Sequence, residues 1–156
     1  MTNIAIRDLV RADLPLVAPI LDATGLFPSD MLADMAQPWL AGEAPHHWLV
    51  ATSGTAVLGF AYAEPERMTD GTVNLLAIAV DPARQNEGVG TALIAELTTR
   101  LIAAGNRVLI VETSSLEGYT ATQAFYAALG FTREARIRDF YEDGNDKIVF
   151  WKRLGG

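Results

Sequence analysis

Apolar and polar residues alternate from Asn3 to Asp8 (NIAIRD), the period-two pattern of a half-buried strand. The period then changes. Asp13 offers a helix N-cap, Pro15 suits a first turn, and LPLVAPILDA carries a helix to Gly25. Ser29 is placed to cap a second, short helix through Met31, Leu32 and Met35, which Pro38 interrupts. Two strands follow, His47 to Thr52 and Thr55 to Glu64, with Ser53-Gly54 between them as a tight hairpin signal. Asp70-Gly71 marks another turn. Thr72 to Val80 (TVNLLAIAV) is nearly continuous in apolar residues, as a strand covered on both faces reads. After the loop DPARQNE a helix is predicted from about Gly88 to Ala104, with Val89, Leu93, Leu97 and Leu101 on one stripe and Gly105-Asn106 as its stop. Arg107 to Glu112 is a second buried strand, and Thr120 to Leu129 a helix ended by Gly130. Phe131 to Asp139 and Lys147 to Leu154 are strands joined by the polar turn EDGND.

The predicted order is β α α β β β α β α β β, a mixed α/β or α+β domain with a βαβ unit, Thr72 to Glu112, at its centre. No repeat, low-complexity tract or linker divides the 156 residues, so residues 1–156 are expected to form a single domain. Composition narrows the chemistry. There are no cysteines, hence no disulfide framework, thiolate cage or cysteine nucleophile. The two histidines, His46 and His47, are adjacent and precede a strand; they are read as surface or edge residues, and no metal site is expected. A formal charge of −7 disfavours a nucleic-acid partner. The N-terminus MTNIAIRDLV has no basic region followed by an apolar core, and no apolar run approaches the ~20 residues of a bilayer span. The expectation is a cytoplasmic protein with no membrane partner.

One stretch carries chemistry. From Ile78 to Thr91 (IAVDPARQNEGVGT) a buried strand ends, a short loop follows, and a helix opens on Gly88-x-Gly90. Amides at a helix N-terminus lack internal partners and bind phosphate oxygens. Glycines there let a pyrophosphate approach the main chain. No Gly-Lys-Ser/Thr follows, so this is no Walker loop, and the third glycine of a dinucleotide fingerprint is missing. The glycines alone leave open an ordinary strand-to-helix turn.

The stretch IAVDPARQNEGVGTAL resembles the acetyl-CoA signature of the GNAT (Gcn5-related) N-acetyltransferase family, Gln/Arg-x-x-Gly-x-Gly/Ala, through Gln85, Gly88 and Gly90. Downstream, Ala124 to Phe131 (AFYAALGF) looks like that family's helix-to-strand ending, in which a tyrosine precedes Gly-Phe by four residues. Val111-Glu112-Thr113 resembles the glutamate-bearing strand of the ribosomal-protein alanine acetyltransferase branch. The order of elements is similar too, so the resemblance spans Ile4 to Leu154.

The resemblance implies a mixed, mostly antiparallel seven-stranded sheet flanked by about four helices, with the two central strands splayed apart. It implies acetyl-CoA as co-substrate, with no metal, and transfer of the acetyl group to a primary amine by direct attack through a tetrahedral intermediate. The amine would belong to a small molecule, an amino acid or a peptide N-terminus. The backbone of Ile78, Ala79 and Val80 would pair with the pantetheine arm, and Gln85, Asn86, Glu87, Gly88, Val89, Gly90 and Thr91 would hold the pyrophosphate. Tyr126 would sit beside the sulfur as hydrogen-bond donor and general acid, and Glu112 would face the amine as base. A backbone N–H near Ile78 would serve the oxyanion. Such folds often pair through exposed final strands, which makes a homodimer an expectation of the family.

The chemistry asks for such groups. A lysine-like amine with pKa ~10.4 is neutral in about one molecule in 2,500 at pH 7, whereas an α-amine near 7.7–8.0 is far better placed. A carboxylate, directly or through water, takes the proton. Three departures from the family pattern stand out. Glu87 lies where relatives are often basic, and Tyr119 lies where an asparagine often precedes the tyrosine by seven residues. Two extra residues separate Glu112 from Tyr126 relative to the alanine-acetyltransferase branch. The acceptor pocket is expected between Phe27, Met31, Met35 and Trp39 on one side and Phe140 and Tyr141 on the other; for each, core packing is the competing reading. Two other readings compete: an acyl-CoA-binding sensor that has lost turnover, and an RNA-directed acetylating toxin, which the acidic charge opposes.

Overall fold

The computed structural model describes residues 3–155. The strands are β1 (Ala5–Asp8), β2 (His47–Ser53), β3 (Ala56–Pro65), β4 (Thr72–Val80), β5 (Val108–Ser114), β6 (Thr132–Glu142) and β7 (Asn145–Arg153). The helices are α1 (Leu14–Thr24) and α2 (Leu32–Leu40) after β1, α3 (Val89–Ala103) after β4 and α4 (Thr120–Ala128) after β5. All strands join one seven-stranded sheet in the order β1-β2-β3-β4-β5-β7-β6. Only the β4–β5 neighbours run parallel, joined through α3; the other pairs are antiparallel. The predicted order and fold class are both present.

Each face of the sheet carries its own apolar cluster. On one face the α3 stripe of Val89, Leu93, Leu97 and Leu101 meets Leu49, Leu109, Ile148 and Phe150. On the other, Val17, Ile20 and Leu21 of α1 and Leu32 and Ala36 of α2 cover Trp48, Val50, Phe60 and Tyr62. Burying each large aliphatic side chain contributes roughly 1.5–3 kcal/mol, which locks the helices to their faces.

Local differences from the sequence expectations have local causes. The β2–β3 turn falls on Gly54-Thr55, one residue later than Ser53-Gly54, and puts Gly54 at φ 60, where glycine is at ease. Pro38 does not interrupt α2, which runs on to Leu40. Leu32 and Ala36 anchor that helix from below, and Trp39 Nε1 donates to the Leu9 carbonyl at 3.1 Å. Ser29 opens a 3₁₀ turn, and the N-cap position of α2 falls to Met31.

Asp13 stands before α1 but is not an N-cap in the chemical sense. A 3₁₀ turn over Arg11–Asp13 leads into the helix, so Asp13 already has helical φ −79 and ψ −22. Its carboxylate turns back instead. It accepts from Arg7 Nη1 at 2.7 Å, Arg7 Nη2 at 2.8 Å and the Val10 amide at 2.8 Å. The bonds to Arg7 hold the Asp13 carboxyl below the usual carboxylate range. Because the folded state lowers this pKa, the stabilisation is complete above the unfolded value near ~3.9 and fades as pH falls through the lower, folded one. Asp13→Ala is expected to cost about 2 kcal/mol by urea denaturation at neutral pH, with the deficit shrinking toward acid.

What shapes the site is an extra residue in β4. The pairs Ala63↔Leu75 and Tyr62↔Ala77 leave Leu76 without an opposite number, a β-bulge. A bulge bends its strand, and the parallel pairing of β4 with β5 ends at Leu75↔Val111. From Leu76 to Val80, β4 keeps β3 but has left β5. The central strands are therefore splayed. Gly59 lets β3 follow β4 around this bend: a Cβ there would lie 2.6 Å from the Ala79 carbonyl oxygen.

Candidate active site

A cleft of about 850 Å³ occupies the space between the diverging ends of β4 and β5. Leu75 to Val80 form one wall, Val111 to Ser114 the other, and the first turn of α3 closes one end. Phe125 and Tyr126 of α4 line it as well, together with Leu26, Tyr119, Tyr141 and Asn145.

The α3 end is built by the loop after Val80. Asp81 Oδ1 accepts from the Ala83 amide at 3.0 Å and starts a 3₁₀ turn over Pro82–Arg84. Gln85 is extended, Asn86 turns left-handed at φ 67, and Gly88 does so again at φ 84. These reversals aim the start of α3 into the cleft. No side chain caps the helix, and its first turn holds no acidic residue. Among the described residues, no acceptor meets the amides of Gly88, Val89, Gly90 or Thr91. The end is thus a set of main-chain donors with the positive pole of a helix behind it. Of the predicted cofactor residues, Ile78, Ala79, Val80, Gln85, Asn86, Gly88, Val89, Gly90 and Thr91 line the cleft, and Glu87 does not. Its carboxylate lies 3.8 Å from Arg84, a lining cation that the sequence reading passed over. Val89 contributes main chain only, since its side chain belongs to the core. Gly90 has a packing reason to be small: a Cβ would meet the Phe125 ring at 3.1 Å.

Tyr126 owes its position to the end of α4. Gly130 takes φ 89 and turns the chain so that the Phe131 amide donates to the Tyr126 carbonyl at 3.1 Å. Phe131 then packs edge-on against the Tyr126 ring at 5.6 Å, with Phe150 and Phe125 on other sides. That return explains the four-residue spacing from tyrosine to Gly-Phe. The residue is 3 % exposed. Its hydroxyl enters no hydrogen bond among the described residues and is not one of their sealed polar atoms, so it faces the cleft. Burial pushes the phenol well above the ordinary tyrosine range.

Glu112 lies across the gap on β5. Its Oε2 accepts from Lys147 Nζ at 2.8 Å, and that ammonium also sits 3.8 Å from the centre of the Phe140 ring. Tyr141 completes this corner. Burial, then the Glu112 charge and nearby Tyr119, push its phenol upward.

The corner is carried by a second bulge. In β6 the pairing jumps from Ile137↔Lys147 to Glu142↔Asn145, so residues 138–141 arch out. Asp146 pins the arch, accepting from the Asp139 amide at 2.8 Å and pairing with Arg136. The Ser114 hydroxyl bonds Asn145 Oδ1, and Ser115 Oγ accepts from the Asp146 amide at 2.8 Å, tying the hairpin to β5.

Several predicted acceptor residues lie elsewhere. Phe27, Met35 and Trp39 pack against the α1–α2 core, and Met31 is exposed. Leu26 and Tyr141 line the cleft, whereas Phe140 serves Lys147. Leu76 lines it too; nothing in an unbroken apolar run marks which residue bulges. His46 and His47 are half-buried rather than surface residues. His46 Nε2 lies 3.4 Å from Glu64, and burial lowers the His47 pKa. Among the described residues no group of three or more potential ligands could hold a metal, and no helix is long and apolar enough to cross a membrane.

No curated protein matches this chain in sequence. The acetyltransferase (GNAT) domain family matches residues 44–133. A solved structure from Desulfovibrio desulfuricans, assigned to the GNAT acetyltransferases, is 34% identical with TM-score 0.89, covering 98% of this chain and 100% of its own. The ribosomal-protein-S18-alanine N-acetyltransferase of Escherichia coli shares the fold at 24% identity and TM-score 0.79, over 99% of this chain and 96% of its own. A Salmonella typhimurium protein solved with its cofactor acetyl-CoA does so at 22% identity and TM-score 0.77, over 97% and 94%. With its splayed strands, uncapped α3 amides and a family match over more than half its length, the chain belongs to the GNAT acetyltransferase family.

Proposed function

We propose that this acetyltransferase moves the acetyl group of acetyl-CoA to a primary amine inside the β4–β5 cleft. The observation that carries the reading is the set of unpaired amides from Gly88 to Thr91, opening directly onto the gap that the Tyr126 hydroxyl faces. The residues present fit the co-substrate. Four successive main-chain donors and Arg84 suit a diphosphate, and beyond its chain neighbours no described atom lies within 4 Å of where a Gly88 Cβ would be. Beyond Leu75 the outer edge of β4 has no strand partner, so Ile78, Ala79 and Val80 offer their backbone to an amide-bearing arm. The Salmonella relative solved with acetyl-CoA supports this choice of ligand.

Acetyl-CoA supplies an activated acetyl thioester to the attacking amine. Glu112, directly or through a water, takes the proton the amine sheds as the C–N bond forms. A main-chain N–H of β4 near Ile78 stabilises the charge that develops on the carbonyl oxygen. Tyr126 donates its hydroxyl proton toward the sulfur as the C–S bond breaks, and CoA leaves as a thiol. A thiol near 8.5 and a tyrosine near 10 already make full transfer cost ~2 kcal/mol, and burial raises the phenol further. The hydroxyl therefore acts chiefly as a strong hydrogen-bond donor until the thiolate has formed.

A panel of amines with acetyl-CoA, followed by free-thiol release, tests the reading. Amine-dependent release is the expected result. Tight binding of acetyl-CoA with no release across the panel would leave a binding module on the same fold. Glu112→Gln is expected to lower kcat by about tenfold to a hundredfold, with acetyl-CoA affinity unchanged by calorimetry. An unchanged rate would return the proton to water alone.

A further inference from the structure

We propose that the acceptor end of the cleft selects a primary amine on an uncharged arm and rejects amines with a carboxylate beside them, free amino acids included. The inference rests on the acetyl-transfer reading for which end receives the amine. It rests on a charge census for the rest. Among the described residues lining the cleft, Arg84 is the only Lys or Arg and Glu112 the only acid. Arg84 belongs to the loop before α3, 3.8 Å from Glu87, at the end with the unpaired amides. The cation that touches Glu112 is already engaged. Lys147 is held at 2.8 Å by Glu112 and lies over the Phe140 ring, with its side chain only 12% exposed. On β6, Arg136 pairs with Asp146, Arg133 donates to Gln123 at 3.3 Å, and Arg138 of the arch is exposed and does not line the cleft.

A carboxylate entering this corner would shed water, find no cation among the lining residues there, and lie against the Glu112 carboxylate. Desolvating a charge without a partner is costly, so the site discriminates by what it withholds. What it offers is neutral. Tyr119 and Tyr141 present rings and hydroxyls, and Leu26 and Leu76 give apolar area. Asn145 spends its Oδ1 on Ser114, which leaves its amide nitrogen to meet a carbonyl. Tyrosine faces also favour an ammonium before it is deprotonated. An amine flanked by an amide or an apolar group satisfies every one of these groups.

The test uses two matched pairs, L-phenylalanine with L-phenylalaninamide and L-alanine with L-alaninamide. Rates with acetyl-CoA are expressed per neutral amine, and each compound is titrated calorimetrically into the protein with CoA present. The expected result is at least a tenfold preference for the amide in both kcat/KM and affinity. Tyr119→Arg, at an exposed position of the corner, supplies the missing cation and should lower the amide-to-acid ratio at least fivefold. Equal or better use of the free acids, no binding of either member of both pairs, or a ratio unmoved by Tyr119→Arg would overturn the proposal. Amide-selective binding with no thiol release would instead sink the acetyl-transfer reading and leave the selectivity standing.

Discussion

Tyr126→Phe is expected to lower kcat about a hundredfold or more while the Kd for acetyl-CoA moves by less than about twofold. The variant isolates one hydroxyl. The ring packs among Phe125, Phe131 and Phe150, and phenylalanine keeps those contacts, so the fold should survive. The lost group is the donor that faces the cleft, needed only as charge builds on sulfur. Stopped-flow or steady-state thiol release reads kcat, and calorimetry reads Kd. Equal loss of both, or no loss of rate, would sink the assignment. The pH dependence carries a sign as well. Burial raises the phenol, so it stays protonated well past ~10, and no alkaline fall in rate should come from Tyr126. The same shift makes the fold less stable as pH climbs above ~10, because the unfolded chain ionises there and the native one does not.

The second large effect is expected at Gly88. Gly88→Val should weaken acetyl-CoA binding by about a hundredfold or abolish its calorimetric signal. The residue has φ 84, which a β-branched side chain adopts only under strain. Its new Cβ would meet no described atom within 4 Å beyond its chain neighbours and would stand beside the donor amides it was meant to leave bare. Gly88→Ala should give a smaller loss in the same direction. Gly90→Ala makes a useful contrast, since its Cβ would press on Phe125 at 3.1 Å and its cost should appear mainly in Tm. Thermal melting of each variant separates lost binding from lost fold. Wild-type affinity in folded Gly88→Val would mean that these amides cradle nothing.

The sequence pattern was most informative where one period ran unopposed. The α3 stripe from Val89 to Leu101 and the apolar run of β4 were legible because packing alone decides them. The uncapped start of α3 was legible because a left-handed turn into bare amides needs glycine at fixed spacing. Tyr126 was legible because Gly130 and Phe131 must fold back onto it. The acceptor corner was not. Tyr141 reaches the cleft only through the arch at residues 138–141, and that arch depends on Asp146, which local pattern does not connect to Asp139 or Arg136. Asp13 was misread for a similar reason: its true partner, Arg7, lies on the preceding strand. Phe27, Met35 and Trp39 have the look of pocket residues, yet the apolar layer between α1, α2 and the sheet claims them first.

The extra residue in β4 also governs which way its neighbours point. Before Leu76, Val73 and Leu75 face the α3 side; after it, Ile78 and Val80 do, while Ala77 and Ala79 turn toward α1. Straightening the strand with Leu76 retained would impose an unbroken alternation and drive Ile78 and Val80 into room sized for Ala77 and Ala79. The full-length strand could zip onto β5 in that straightened form only by overfilling the α1 layer. Closing the aperture by ironing out the bulge would thus damage the fold as well, which ties the persistence of the opening to the integrity of the core.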